Sequence, residues 1–330
     1  MFAVTGAATC LGTRLVTRLE GAGRVIAVDG EPVGIPPDLD GVDVLVTLAQ
    51  GPCPSPVDGD ASMRLAALRS ALDGASIAGV KRLVHLSSAV VYGARDDNPV
   101  PLPDDAPVRP DPRFGWAVEL AEAERLVTEW RDDGADTAVA VLRPSLVVAP
   151  DDDAFLARAL GGLSGPRSAG EERPVQFLHV DDLADAVALC ALAKDPVDDV
   201  LNVAPEGSVD DSEVAALAGA ALPRPPIPAR LVGPVRRLAW RLGVGSVPPG
   251  AEAYASNPWI VAADRLRDLG WTPTHNNAEA LVATTTASPL ASLSPRRRQE
   301  ILLALVGLAG LGMITAAVVF TRRALRARRS

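Results

Sequence analysis

Short apolar runs alternate with segments of helical spacing along the first two thirds of the chain. The runs rich in valine and leucine occupy residues 25–29, 43–49, 82–88, 138–144 and 200–204. Apolar side chains recur every three or four positions over residues 12–20, 62–75 and 118–131. Strands that are apolar throughout are buried on both faces, and parallel pairing requires helical crossovers between them. This pattern predicts an α/β fold, a doubly wound parallel sheet of the Rossmann type.

The alternation weakens after residue 150, which divides the 330 residues into unlike parts. We expect a smaller lobe to cover the carboxyl ends of the strands, where open α/β sheets bind ligands. The predicted parts are a Rossmann core at 1–150, the remaining strands and a substrate lobe at 151–283, a linker at 284–300, an apolar helix at 301–320 and a basic tail at 321–330.

The apolar helix is long enough to cross a bilayer. Residues 301–320 carry no charge, and arginines flank them on both sides. Twenty helical residues at about 1.5 Å each match a hydrocarbon core of roughly 30 Å. The segment therefore predicts a single-pass membrane anchor, with a buried core helix as the alternative. No charged and apolar leader precedes the first strand, so we expect the body to lie in the cytoplasm.

Charge is distributed unevenly along the chain. Eight arginines and one glutamate lie beyond residue 295, and removing this +7 from the total of −9 leaves −16 for residues 1–295. So acidic a body should repel nucleic acid, and no nucleic-acid partner is expected. Cys10, Cys53 and Cys190 are widely spaced and lack neighbouring histidines, which favours free thiols over a disulfide framework or a metal site.

A small-residue turn joins the first apolar strand to the first helical segment. It runs through Gly6, Thr9, Cys10, Leu11 and Gly12. Small residues let the backbone approach a pyrophosphate, which the N-terminus of the following helix stabilises. The alternative is a glycine turn that serves only strand–helix packing.

The second apolar run ends on a carboxylate. Asp29 follows Gly12 by seventeen residues, where a carboxylate can accept hydrogen bonds from a ribose and repel a 2′-phosphate. The spacing therefore favours NAD over NADP as the ligand. A solvated aspartate is the alternative.

Further motifs follow in a fixed order along the chain. They are DVLVTLA at 43–49, SSAVVYG at 87–93, LRPSLVVAP at 142–150, FLHVDDLADAV at 177–187, LNVAPEGSV at 201–209 and DRLRDLGWTP at 264–273. With the turn, this order resembles the extended short-chain dehydrogenase/reductases, the NAD-dependent epimerase/dehydratase family, over about residues 2–283. The resemblance implies an NAD cofactor and adds Leu48 and Ala49 to the cofactor-binding residues. It implies a catalytic role for Ser88, and capping of the strand end is the alternative.

The chain departs from that family where catalysis needs a tyrosine and a lysine four residues apart. Phe114 and Val118 occupy those two positions, and neither side chain can transfer a proton. Neither tyrosine of the chain has a lysine four residues after it. Thr9 also replaces the middle glycine of the family's turn, and its β-branch is expected to be unfavourable if that position needs a positive φ.

Two functions remain open from the sequence. One is a membrane-anchored NAD-binding protein without the usual catalysis, acting as a sensor or scaffold. The alternative is an active epimerase, dehydratase or reductase that uses a substituted base on a nucleotide-sugar or lipid-linked small molecule. Two polar residues have structural expectations: His85 is expected to be a satisfied core histidine, and Asp182 is expected to cap a helix.

Overall fold

The structure is a computed structural model. It describes residues 1–28, 36–48, 61–134, 136–150, 167–168, 174–217, 226–227, 250–254 and 257–284. Two predicted cofactor residues, Asp29 and Ala49, lie outside these ranges, as do Cys53 and everything beyond residue 284.

Strands and helices alternate as the apolar pattern predicts. The strands are β1 (Phe2–Thr5), β2 (Val25–Ala27), β3 (Val44–Thr47), β4 (Arg82–Leu86), β5 (Ala138–Pro144), β6 (Leu146–Val148), β7 (Arg167–Ser168), β8 (Phe177–His179), β9 (Asp199–Val203) and β10 (Pro226–Ile227). The helices are α1 (Cys10–Glu20), α2 (Ala61–Ala78), α3 (Gly115–Asp132), α4 (Val180–Leu192), α5 (Asp211–Leu217), α6 (Asp264–Asp268) and α7 (Asn277–Thr284). A 3-10 turn over Ala89–Tyr92 follows β4.

Six strands form one sheet in the order β2-β1-β3-β4-β5-β9, and every pair in it is parallel. The five predicted apolar runs each overlap one of these strands, so the predicted parallel α/β sheet is confirmed. Side chains alternate between its faces: Leu83 packs with α2 and α3, whereas the next residue, Val84, packs with α1 and α4. The helices on both faces make the sheet doubly wound.

A second apolar cluster lies beyond the carboxyl ends of β4 and β5. There the 3-10 turn and Phe114 pack with Phe177, Tyr254 and Trp259. A small parallel pair, β6 with β8, contributes to the same cluster. The cluster joins residues of the predicted core at 1–150 with residues of the predicted lobe at 151–283, much of which falls outside the described ranges. The predicted boundary at residue 150 stays a prediction.

All described residues belong to one compact unit, formed by residues 1–218 and 225–285. Within it, none of the helices is both long and apolar enough to span a membrane. The predicted linker at 284–300 lies outside the described residues apart from Thr284. The predicted span at 301–320 and the basic tail lie outside them entirely.

Candidate functional site

The turn between β1 and α1 closes so tightly that two of its positions require glycine. Gly6 adopts φ +73°, a conformation that L side chains rarely accept. A Cβ on Gly12 would lie 2.1 Å from the carbonyl oxygen of Gly6 and 2.7 Å from Cα of Ala7. The first turn of the helix therefore sits directly on the end of the strand, and only backbone separates the two.

Thr9 is the N-cap of α1. Its Oγ1 accepts a hydrogen bond from the Gly12 N–H at 3.0 Å and donates one to the Gly6 carbonyl at 2.7 Å. Its φ is −73°, so the condition for the expected penalty on a β-branched residue, a positive φ, is not met at this position. Threonine at this position has a different consequence for ligand binding. Its hydroxyl accepts the Gly12 N–H, a donor that a glycine at position 9 would leave available to a ligand.

The N-terminus of α1 suits an anion. Its first turn holds no acidic residue, and Leu11 and Gly12 are buried there while Cys10 is half-buried. The Arg14 guanidinium donates to the Cys10 carbonyl at 3.1 Å and contacts its Sγ at 3.0 Å, which adds positive charge to the helix dipole.

Leu48 borders the same turn. Its Cβ and carbonyl carbon come within 3.2 and 3.3 Å of the position a Cβ on Gly6 would take. The Leu48 N–H donates to Thr5 Oγ1 at 3.2 Å, which fixes the end of β3 beside the end of β1. The structure thus brings Leu48 together with the predicted residues of the turn.

The start of α3 carries the two positions at which the resemblance implies a catalytic tyrosine and lysine. Phe114 is buried, and its ring packs edge-on against Trp116 and Tyr254 with centroid separations of 5.9 and 5.2 Å. Val118, one turn later, is 39 % exposed. An apolar contact and an exposed aliphatic side chain therefore stand where the family uses an ionisable pair.

Ser88 lies at the carboxyl end of β4 and is the N-cap of the 3-10 turn. Its Oγ accepts from the Val90 N–H at 3.4 Å and donates to the Pro144 carbonyl at 3.5 Å. Both distances are long for hydrogen bonds of a hydroxyl, so the side chain is held loosely. This geometry fits the capping role and leaves the catalytic role of Ser88 a prediction.

A buried ion pair behind Ser88 was missed by the sequence analysis. Glu124 of α3 pairs with Arg143 of β5, with Oε2 to Nη2 at 2.5 Å and Oε1 to Nε at 3.0 Å. The Ser87 hydroxyl donates to the same carboxylate. The Arg143 guanidinium also lies 4.8 Å from the ring centroid of Tyr92, whose hydroxyl donates to Asn202 at 2.8 Å.

A second carboxylate of α3 is buried in another pair. Arg64 of α2 binds Glu119 through two hydrogen bonds of 2.6 Å, a bidentate geometry. Charged residues in a helix usually lie on its solvated face, so their spacing in the sequence did not indicate either buried ion pair. The exception is Arg143, which lies inside an otherwise apolar strand.

His85 is fully buried in the middle of the sheet. Its Nδ1 lies 2.8 Å from Thr47 Oγ1 on the neighbouring strand, and its Nε2 has no hydrogen-bond partner among the described residues. The expectation of a satisfied core histidine thus holds for one nitrogen only. Burial lowers the pKa of His85 to about 4, although the charge of Glu124 opposes the shift.

The two described cysteines, Cys10 and Cys190, are not joined in a disulfide. Burial raises the pKa of the Cys190 thiol to about 12, so this side chain is inert. The capping prediction for Asp182 is wrong: His179 is the N-cap of α4, and Asp182 instead accepts hydrogen bonds from Thr274 and His275. The capping rule failed because histidine Nδ1 can accept the same bond.

Known proteins resemble this chain in sequence and in fold. A model described as the NAD dependent epimerase/dehydratase family matches residues 59–204. The uncharacterized protein Rv0501 of Mycobacterium tuberculosis is 27 % identical over 204 residues, 61 % of this chain and 53 % of that protein. The uncharacterized protein y4nG of Sinorhizobium fredii is 25 % identical over 255 residues, 74 % of this chain and 63 % of its own length. This chain therefore spans about half the length of its mycobacterial relative.

Among solved structures, MoeE5 in complex with UDP-glucuronic acid and NAD has a TM-score of 0.63 and 25 % identity, covering 86 % of this chain and 97 % of MoeE5. These matches support the NAD-dependent epimerase/dehydratase family. A Thermus thermophilus UDP-glucose 4-epimerase in complex with NAD, with a TM-score of 0.60 and 20 % identity over 86 % of this chain and 97 % of its own, shares the fold.

Proposed function

We propose that this protein binds NAD at the β1–α1 turn and does not perform the tyrosine- and lysine-dependent catalysis of its family, so that it acts as a sensor or scaffold. The observation that carries the proposal is the packing of Gly12 against Gly6, because such closeness brings the amide groups of α1 within reach of a pyrophosphate. MoeE5, which was solved with NAD, supports the choice of ligand.

The residues present fit a dinucleotide. The Thr9–Gly12 backbone and the N-terminus of α1 would hold the pyrophosphate, and Leu48 would border it. Bound NAD would supply a hydride acceptor, and the chain's own residues would bind and orient it. The Thr9 hydroxyl must release the Gly12 amide if that amide is to bind a phosphate oxygen, which predicts weaker binding than a glycine would give.

The proposed lack of the usual catalysis rests on α3. A proton acceptor is needed beside the reacting carbon, and the side chains at the two expected positions, Phe114 and Val118, have no ionisable group. The buried carboxylates of α3 do not replace them, because Glu119 and Glu124 are each engaged by an arginine.

The proposal extends to the membrane. In this proposal the uncharged residues 301–320 anchor the chain and the Rossmann body lies on the cytoplasmic side. Protease treatment of sealed vesicles tests this topology: the body should be digested from the cytoplasmic face. Protection of the body from that side would contradict it.

Calorimetric titration of the full chain in detergent with NAD and NADH tests the ligand. We expect the natural protein to bind NAD and Gly12→Ala not to bind it. Gly21→Ala, at the C-cap of the same helix, should bind normally, because a Cβ there would lie 3.6 Å from the Arg18 carbonyl oxygen, an ordinary contact distance. Absence of binding at millimolar NAD would contradict the proposal. Steady turnover of UDP-glucose or another nucleotide sugar with bound NAD would instead establish the enzymatic alternative.

A further inference from the structure

Two histidines stack at the start of α4. The rings of His179 and His275 have centroids 4.0 Å apart and planes inclined by 25°. His179 Nδ1 accepts the Asp181 N–H at 3.2 Å and so caps the helix, which requires that this nitrogen carry no proton. His275 Nδ1 lies 3.0 Å from a carboxylate oxygen of Asp182.

Asp182 fastens the segment that carries His275 to this helix. Its carboxylate accepts the Thr274 N–H at 2.8 Å, the Thr274 hydroxyl at 2.6 Å and the His275 N–H at 3.1 Å. Its backbone carbonyl accepts the Trp271 indole N–H at 3.0 Å. The buried Asp182 carboxylate therefore holds His275 in place within the stack.

On its other side the stack is connected through Asp181 to α1, the helix of the proposed dinucleotide site. The Asp181 carboxylate lies 3.5 Å from His179 Nδ1 and also binds Arg14 Nε at 3.2 Å and Arg18 Nη2 at 3.3 Å. Arg14 in turn contacts Cys10 at the first turn of α1. Asp181 is thus shared between the stacked histidine and the arginine beside the proposed pyrophosphate site.

A proton on His179 would change both contacts. The protonated Nδ1 no longer accepts the Asp181 N–H, and it attracts the Asp181 carboxylate that Arg14 and Arg18 now bind. Burial lowers the pKa of His179, and the nearby His275 lowers it further, while Asp181 and Asp182 raise it and Arg14 lowers it. Among the described residues these are the charged groups that act on the ring, and Arg18 and Asp185 form the next pair along the two helices.

The sign of the effect follows from linkage. The folded pKa of His179 lies below its unfolded value of 6.5, so the native state binds fewer protons than the unfolded state. The stability contribution is complete above that value and is lost as pH falls below it. Acidification therefore removes the stability that the neutral His179 ring contributes.

We propose that the His179–His275 stack is a proton-responsive switch that loosens the N-terminus of α1 in acid and thereby weakens dinucleotide binding. The effect on the Kd for NAD rests on the proposed function above, whereas the effect of pH on the unfolding temperature is measured without NAD. The class of regulation is coupling between proton binding and ligand binding through a shared carboxylate, Asp181.

The test compares the full natural chain with His179→Asn and His275→Asn. Asparagine places a polar atom near the position of Nδ1 and does not titrate, so capping and the contact with Asp182 can persist. By calorimetry we expect the Kd for NAD to rise about fivefold between roughly pH 7.5 and 4.5 in the natural chain and less than about twofold in His179→Asn. His275→Asn keeps the titrating His179 ring and loses a neighbour that lowers its pKa, so its Kd should still rise in acid. The third histidine, His85, has a pKa of about 4 and is shared by all three proteins.

Equal pH dependence of the Kd in the natural chain and in His179→Asn would overturn the proposal while leaving NAD binding intact. The second measurement is the unfolding temperature of each protein over the same pH range without NAD. A steeper loss in acid for the natural chain than for His179→Asn supports the switch, and coincident profiles of these two proteins overturn it. If NAD binds at no pH, the proposed function fails together with the link to the ligand, and the unfolding profiles still decide whether the stack responds to protons.

Discussion

The β1–α1 turn and the start of α3 have diverged in opposite ways. The turn is built from backbone, and it keeps its closure with Thr9 in place of a glycine because the hydroxyl caps the helix from inside. A tyrosine–lysine pair acts through its side chains, so under the proposed function Phe114 and Val118 at those positions would remove that chemistry while the helix remains. A site made of amide groups tolerates substitution that a site made of ionisable groups does not.

Adding one carbon to the turn should have the largest effect on stability. Gly12→Ala places a Cβ 2.1 Å from a backbone oxygen that cannot move away without shifting β1. We expect a loss of more than about 4 kcal/mol in the free energy of unfolding, measured in urea. Gly21→Ala on the same helix should change it by less than about 1 kcal/mol. Equal stability of the two variants would show that the turn is not tightly closed.

Removing one partner of the ion pair beneath α3 should have the next largest effect. Glu124→Leu leaves the buried Arg143 without its carboxylate, and we expect a loss of about 4 kcal/mol in urea unfolding. The double variant Glu124→Leu, Arg143→Met should recover most of that loss, because no buried charge remains unpaired.

The control for this pair is Glu122→Gln on the exposed face of the same helix. That carboxylate binds Arg125 in solvent, so the unfolding midpoint should not move. A Glu124→Leu protein as stable as the control would mean that the pair contributes nothing to α3.

His85 should make the sheet beneath α3 sensitive to acid. Its folded pKa of about 4 lies below the unfolded value of 6.5, so stability is lost as pH falls from about 6.5 toward 4. The loss at pH 4 should approach about 3 kcal/mol, and His85→Phe should lose correspondingly less between pH 7 and 4. Urea unfolding at both pH values measures the difference, and parallel losses would contradict the burial of a neutral imidazole.

The smallest expected effect sharpens the description of the turn. Thr9→Gly frees the Gly12 amide, so we expect NAD to bind about fivefold more tightly by calorimetry. Thr17→Ala alters a threonine further along α1 whose hydroxyl donates to the Thr13 carbonyl, and it should leave the affinity unchanged. Weaker binding by Thr9→Gly would indicate that capping of α1 matters more than the freed donor.

Much of the fold was accessible from local pattern. The apolar runs located β2, β3, β4, β5 and β9 because strands buried on both faces are apolar throughout, and helices α1, α2 and α3 followed from their spacing. The glycine turn was recognisable because its backbone demands are local. Asp29, Ala49 and residues 301–320 remain predictions, since they lie outside the described residues.

The sequence by itself determined the sheet, its helices and the absence of a Tyr-x-x-x-Lys pair, because these depend on residue type and short spacing. Only the tertiary structure decided that Thr9 caps α1 without strain, that Glu124 pairs with Arg143, and that Asp182 binds His275 across 93 residues. Polar partners of this kind meet through the packing of whole elements. Nothing in the spacing of the residues along the chain encodes which pairs will meet.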